Sequence, residues 1–414
     1  MQGHDGSLKP LYALNTPAIL WRCLPDIDPD EWLNAIKTAT PLLLGDLVNN
    51  LEIEDLLEYV LGEGYLGENR WRLAAPLRSA YLVRKFMPRF LVSILRVLYH
   101  RRPKQAFPLS WPIEDRYVQF QWAVMSNVLL QRHLTSALHI AFWPKGRRFA
   151  LVLTHDVDTQ KGYDFVLDLA ALEEQYGFRS SFNFVPERYR LDRNLLIELQ
   201  QRGFEIGVHG LRHDGRLFSS RKMFAERVDQ INSYLKQWGV VGFRSPLTHR
   251  QPQWMQLLDI EYDTSFFDTD PYETMPGGTM SIWPFFVGRF IELPYTLAQD
   301  HTLMISLKES SPRLWLEKVD FIARYSGMAL SVTHPDYLSE PSRLRVYERF
   351  LQTMQQRHDY WHTLPRDLAR WWRERAQAGS VNELPFASIE QICLAGNTIQ
   401  LLACSRLRGS PLVA

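Results

Sequence analysis

The residues best suited to chemistry stand at the ends of short apolar runs. Phe149-Ala150-Leu151-Val152-Leu153 passes directly into Thr154-His155-Asp156-Val157-Asp158. Residues of a strand alternate between faces, so Asp156 and Asp158 project together while Val157 turns back into the packing. Two carboxylates side by side repel, and a divalent cation is the commonest relief. A second run, Phe204-Glu205-Ile206-Gly207-Val208, stops at His209-Gly210-Leu211-Arg212-His213. Histidines four apart, on a helical turn or a tight loop leading into one, face the same way and can hold one cation through their ring nitrogens. Two histidines and one carboxylate leave coordination positions open for water and substrate, which is the catalytic kind of metal site.

Three further strand ends carry functional side chains. Phe243-Arg244-Ser245-Pro246 sets an always-charged guanidinium beside a rigid turn, where it can orient a carboxylate. Tyr262 to Asp270 holds Asp263, Asp268 and Asp270, of which one is expected to function. Val332-Thr333-His334-Pro335 ends in a histidine, whose ordinary pKa suits proton transfer near neutrality. Taken singly, each has an ordinary structural reading as a surface ion pair or a satisfied core histidine. Their common position at the carboxyl ends of strands gives them weight, because α/β enzymes keep their chemistry there.

The elements that must position these groups follow from the pattern. From 146 to 378 strands alternate with helices. Helices are expected at Tyr163 to Tyr176, Arg193 to Gln201, Arg221 to Trp238, near Trp254 to Leu258, at Arg313 to Tyr325, at Arg343 to Gln356 and at Pro365 to Arg375. Strands are expected at Ser180 to Val185, Val240 to Arg244, Glu261 to Phe267 and Met328 to Val332, beside the two already named. An aromatic-rich excursion from Met280 to Tyr295 reads as extra strands or a lid. About seven strands in such units predict an α/β fold, a distorted (β/α) barrel. No glycine-rich phosphate loop follows any strand, which removes dinucleotide and nucleoside-triphosphate readings.

Residues 1–145 read as a helical N-terminal region, with periodic stretches at Asp30 to Thr38, N-capped by Asp30, and at Ile53 to Leu61. The tail, 379–414, holds two strand-like runs around Ala395-Gly396-Asn397 and reads as a β-hairpin. Within the N-terminal region, Arg84 to Lys104 carries seven basic residues and no acidic one among bulky apolar side chains. It is too short and too interrupted to span a bilayer, but it fits a membrane interface; the plainer reading is a core helix whose arginines reach water.

The formal net charge is +1, which gives no argument for a nucleic-acid partner. Three cysteines, Cys23, Cys393 and Cys404, suit neither a zinc ribbon nor a disulfide framework. The first residues lack a basic stretch followed by an apolar one, so a cytoplasmic location is expected, peripheral at the inner membrane face if 84–104 meets lipid.

In this order the motifs resemble the metal-dependent polysaccharide deacetylases, over residues Phe149 to Arg375. That family has an acidic pair closing the first strand, His-x-x-x-His, an Arg-x-Pro turn, an acidic-aromatic stretch and a strand ending in histidine. The resemblance implies a distorted (β/α) barrel, a divalent cation, expected to be zinc, and a hydrolase acting on carbon–nitrogen bonds other than peptide bonds. It makes Asp158, His209 and His213 the metal ligands and Asp156 the general base. His334 becomes the acid, Arg244 the residue that holds Asp156, and Asp263 the candidate for tuning His334. The chain departs from the common pattern by the intervening Val157, shared with a subset that has Asp-Val-Asp, by His155 in place of an aromatic, and by a fourth motif without tryptophan. The expected substrate is an N-acetylated or O-acetylated sugar of a cell-surface glycan or its precursor, with Trp283, Phe285 and Phe286 expected near the rim. The alternatives are a hydrolase of a small amide or ureide, and a scaffold that keeps the barrel without catalysis.

Overall fold

The computed structural model describes residues 7–44, 52–72 and 107–403. The basic apolar stretch 84–104 and Cys404 lie outside the described residues. Thirteen strands occur among those described: β1 Cys23–Leu24, β2 Ser136–Ile140, β3 Phe149–Val157, β4 Ser181–Phe184, β5 Glu205–His209, β6 Gly242–Arg244, β7 Tyr262–Asp263, β8 Phe285–Val287, β9 Phe290–Glu292, β10 Met328–Thr333, β11 Tyr360–His362, β12 Ile389–Ala395 and β13 Thr398–Ala403.

Nine of them form one curled sheet in the order β10-β3-β4-β5-β6-β7-β9-β8, with β11 also on β3. All pairings from β10 to β9 are parallel, and β8 returns antiparallel on β9. Every residue of β3 and β10 is buried, as a near-continuous apolar run in a parallel sheet requires. Helices Gln160–Gln175, Arg193–Gln201, Arg221–Trp238, Arg313–Arg324, Pro341–Gln355 and Pro365–Gln377 alternate with these strands. The barrel is distorted because, among the described residues, no regular strand joins its two sides. The segment after β9 does so instead: Thr296 and Leu297 donate their N–H groups to Leu330 O at 3.2 and 3.1 Å, and Tyr295 bridges Phe267.

Local caps fix the connections near the site. Asp158 is followed at once by Thr159, whose hydroxyl accepts from Gly162 N at 3.2 Å and starts the first barrel helix. Ser220 and the left-handed Gly239 close the two ends of Arg221–Trp238.

Several expectations need correction. The first long N-terminal helix runs from Pro29 to Leu44, and its cap is Asp28, whose carboxylate accepts from Asp30 N at 2.8 Å; Asp30 is inside the helix. The N-terminal region is not purely helical, because β1 and β2 join the tail hairpin in a second sheet ordered β1-β2-β12-β13. The excursion from Met280 contributes the strands β8 and β9. Trp283, Phe285 and Phe286 are buried there, with Trp283 stacked on Trp122 and Phe142. They are core, not rim: Tyr117 and Trp122 of the helix Arg116–Gln131 cover Trp283, Tyr12 and Phe266 pack on Phe285, and Arg373 lies over Phe286. Arg375, at the end of the last barrel helix, donates to Leu20, Ile140 and Ala141 carbonyls at 2.8–2.9 Å and ties the barrel to the second sheet. Cys23 and Cys393 are both free thiols.

Candidate active site

Asp158 leaves the end of β3 with its Oδ1 buried and without a hydrogen-bond partner. Two imidazole nitrogens approach that oxygen: His209 Nε2 at 3.2 Å and His213 Nε2 at 3.1 Å. The three donor atoms lie within 4.8 Å of one another, the right size for a shared cation. His209, the last residue of β5, places its Nδ1 3.1 Å from Arg244 O, a contact that makes Nδ1–H the donor and leaves Nε2 free as a ligand atom. His213 lies on the following loop in a left-handed conformation with φ 49°, and Gly210 makes the turn between the two histidines. A side chain at Gly210 would put its Cβ 2.5 Å from the Pro246 ring. Arg188 holds the loop to the strand end, donating to Asp158 O at 3.0 Å and to His213 O at 3.2 Å.

Asp156, two residues earlier, has different company. Asn183 Nδ2 donates to its Oδ1 at 3.0 Å, and Arg244 lies 3.6 Å from its Oδ2. Asn183 has room only because residue 207 on β5 is glycine: a Cβ there would be 2.0 Å from Asn183 Oδ1. Arg244 is itself fixed by Thr264 Oγ1 at 2.9 Å and Thr154 Oγ1 at 3.0 Å. Burial pushes the Asp156 carboxyl up, but Arg244, His209 and His334 together hold it below the usual carboxylate range. For Asp158, burial is likewise overcome by His213 and His209, and the result is well below that range. Both aspartates are therefore anions facing the same space, the condition that a divalent cation relieves.

His334 follows β10 and faces both aspartates. Its partner is Asp300: Oδ1 accepts from Nδ1 at 2.7 Å and Oδ2 accepts from the His334 backbone N at 2.7 Å. Burial alone would lower the ring's pKa, yet Asp300, aided by Asp158 and Asp156, raises it to about 10. His334 is thus a proton donor at neutral pH, held by a fixed carboxylate.

The structure brings Asp156, Asp158, His209, His213, Arg244 and His334 together. Asp263 is elsewhere. It accepts from Ser265 N at 3.0 Å and Ser265 Oγ at 2.8 Å, and it shares a hydrogen bond with Glu292, burial raising the pKa of both. The carboxylate on His334 is Asp300, so the tuning role expected of Asp263 falls to a residue outside the motif. Asp268 pairs with Lys318, and Asp270 accepts from Tyr272 N at 2.6 Å. Sequence reasoning missed Asn183 and Asp300. Asn183 left a signal, a polar residue alternating with phenylalanines on a buried strand; Asp300 left none.

His155 lies beneath the site. Its ring nitrogens meet Thr333 Oγ1 at 2.6 Å and Glu173 Oε1 at 2.8 Å, and Glu173 also accepts from Ser180 and Tyr347. This satisfied polar network joins β3, β10 and two covering helices.

No family model and no curated protein matches the chain. Among solved structures the neighbours include polysaccharide deacetylases and an allantoinase. A Mycobacterium smegmatis protein assigned to the polysaccharide deacetylases is 18% identical, with 56% of this chain and 92% of that one covered and a TM-score of 0.48. Another so assigned, from Pseudomonas aeruginosa PAO1, is 17% identical, with 57% and 95% covered and a TM-score of 0.46. Puue allantoinase is 15% identical, with 56% and 92% covered and a TM-score of 0.44.

Proposed function

We propose that this chain is a metal-dependent hydrolase that removes an acetyl group from an N-acetylated sugar. The observation that carries this reading is the division of labour between the two aspartates. Asp158 turns an unpaired oxygen to His209 and His213, whereas Asp156 is held by Asn183 and Arg244 as a free base. Asp158, His209 and His213 fit a divalent cation of the zinc type, whose chemistry when bound is to acidify water and polarise a carbonyl. Asp156 takes the proton from the attacking water, kept ionised by Arg244 and aimed by Asn183. An amide nitrogen is a poor leaving group, and His334 protonates it. Asp300 fixes the ring's tautomer and keeps it charged until that moment.

The substrate assignment draws on the half-exposed aromatics on the acid's side of the site. The ring of Tyr337 lies 5.1 Å from that of His334 and 5.7 Å from that of His301. Such faces can stack on a sugar ring. A second reading is a hydrolase of a small amide or ureide. The natural substrate is proposed to be a glycan precursor on the cytoplasmic side, met by peripheral membrane contact through 84–104. Metal analysis of the purified protein, then acetate release from nucleotide-linked, lipid-linked and polymeric N-acetyl sugars, tests the main reading. Ammonia or urea release from ureides without acetate release would favour the second. A protein with no stoichiometric metal and no turnover of either class would return the barrel to a scaffold role.

A further inference from the structure

Glu63 belongs to the N-terminal region and is wholly buried. A buried carboxylate is tolerated only when its charge and both its oxygens are met. Glu63 accepts from Gly278 N at 2.9 Å, Trp71 Nε1 at 2.7 Å and Arg250 Nε at 2.9 Å, with Arg250 NH2 closing the ion pair. Arg250 is buried too, its guanidinium 4.9 and 4.7 Å from the Phe266 and Phe267 ring centres. Its remaining NH1 donates to Thr248 O at 3.0 Å.

Thr248 is the strained member. Leu247 and Thr248 have φ 60° and 54°, two consecutive non-glycine residues in the left-handed region, and Thr248 is β-branched. Such a conformation persists only where the surroundings over-determine it. Here Arg250 holds its carbonyl, and its hydroxyl donates to Glu273 Oε2 at 2.8 Å. The other oxygen of Glu273 accepts from Tyr295 OH at 2.9 Å and from Gln299 Nε2 at 2.5 Å. Gln299 immediately precedes Asp300, which grips His334 by ring and backbone.

We propose that the N-terminal region is part of the catalytic apparatus: Glu63, Arg250, Thr248 and Glu273 are positioning residues that fix the Gln299-Asp300 corner and through it the ring of His334. The catalytic half of this statement rests on the reading of His334 as the acid. The chain of bonds is continuous and runs from the N-terminal region through the segments that follow β6, β7 and β9. The N-terminal region supplies its outermost charge, without which Arg250 is a lone buried cation and the Thr248 turn loses one of its restraints.

Spatial continuity alone does not demonstrate coupling, so the test reads His334 directly. The readout is the exchange rate with water of the His334 Nδ1 proton, observed by NMR and assigned with His334→Gln, alongside metal content, kcat and KM. Thr248→Val, which removes one hydroxyl and keeps the branched shape, and Glu273→Gln should each keep the metal. Each should speed that exchange by about tenfold or more as the corner loosens. On an active substrate, kcat should fall by about tenfold with KM little changed, and Thr248→Ser should restore it. Glu63→Gln should act in the same direction. If that variant does not fold, Glu63→Gln with Arg250→Met leaves no lone buried charge and reads the same link. Unchanged His334 exchange in both Thr248→Val and Glu273→Gln would overturn the proposal, and an effect in these two but not at Glu63 would remove the N-terminal region from it. Because the exchange readout needs no substrate, failure of every acetyl sugar would sink the functional reading without deciding this one.

Discussion

Asp300 binds His334 twice, once at the ring and once at the backbone, so the carboxylate cannot move without taking both the acid and the end of β10 with it. The consequence is a pH dependence that belongs to this pair. The proposed acid role requires a protonated His334, and its raised value of about 10 keeps it so through neutrality; on that reading activity should fall only as pH rises toward that value. Asp300→Asn removes the main stabilising charge and leaves burial, which lowers the pKa, so the basic limb should move down toward or below the ordinary histidine value of about 6.5. Asp263→Asn should leave that limb in place. The measurement is kcat against pH for both variants, and an unmoved limb in Asp300→Asn would mean that His334 is not the acid.

The two aspartates should separate cleanly. Asp156→Asn is expected to retain the metal and lose turnover by at least about a hundredfold, the usual scale for a general base. Asp158→Asn and His209→Ala should lose both metal and turnover while the fold survives. Metal content by elemental analysis, beside circular dichroism, decides the matter, and equal metal loss at 156 and 158 would reverse the assignment.

Gly207 offers a subtler check. A methyl group there would press on Asn183 Oδ1 from 2.0 Å, so Gly207→Ala should push the amide off Asp156. Metal should stay and kcat should fall, whereas a variant with wild-type kcat would show that Asn183 does not aim the base.

The polar network under β3 makes a prediction about stability. His155→Phe removes the ring nitrogen that meets the buried Glu173 carboxylate at 2.8 Å, and should destabilise by about 1–3 kcal/mol. Adding Glu173→Gln should recover part of that loss. Urea denaturation of the single and double variants measures it, and a single variant as stable as wild type would mean that Glu173 is not held as an anion.

The basic apolar stretch is tested with vesicles. Arg89, Arg96, Arg101 and Arg102 should each add about 1 kcal/mol of binding to anionic lipid at low salt. Sedimentation with anionic and neutral vesicles should show binding to the former alone, weakened by salt and by replacing the four arginines with glutamine. Absence of binding would return the stretch to an ordinary packed helix.

The parallel strands of the barrel were legible because burial on both faces writes itself as an uninterrupted apolar run, as in Phe149 to Leu153 and Met328 to Val332. The helices Arg193–Gln201 and Arg221–Trp238 were legible to the residue, since each carries a single apolar stripe between a polar cap and a glycine. Arg116–Gln131 was not, because it is buried on nearly every side and its sequence has no clean stripe. Asp156, Asp158, His209 and His334, which the structure brings together, were readable as groups at strand ends. Asp300 was not: it follows the irregular segment that closes the barrel, and its meeting with His334 depends on packing between distant parts of the chain. The same is true of Glu63 and Arg250, whose partnership leaves no local trace.

The second sheet bears on how the chain comes to be folded during synthesis. Of its two interior strands, β12 lies between β2 and β13, so β2, paired with β1 on one side, carries an unpaired edge on the other until residues about 250 positions later have been made. Leu20 and Ile140 likewise wait for Arg375. β2 therefore emerges well before the strand that seals its edge, and an exposed strand edge held open that long invites pairing with another copy. Cutting the chain back to the barrel's last helix would make that temporary edge permanent, and aggregation on ejection from the ribosome, not weaker catalysis, is the first defect to look for in such a truncation.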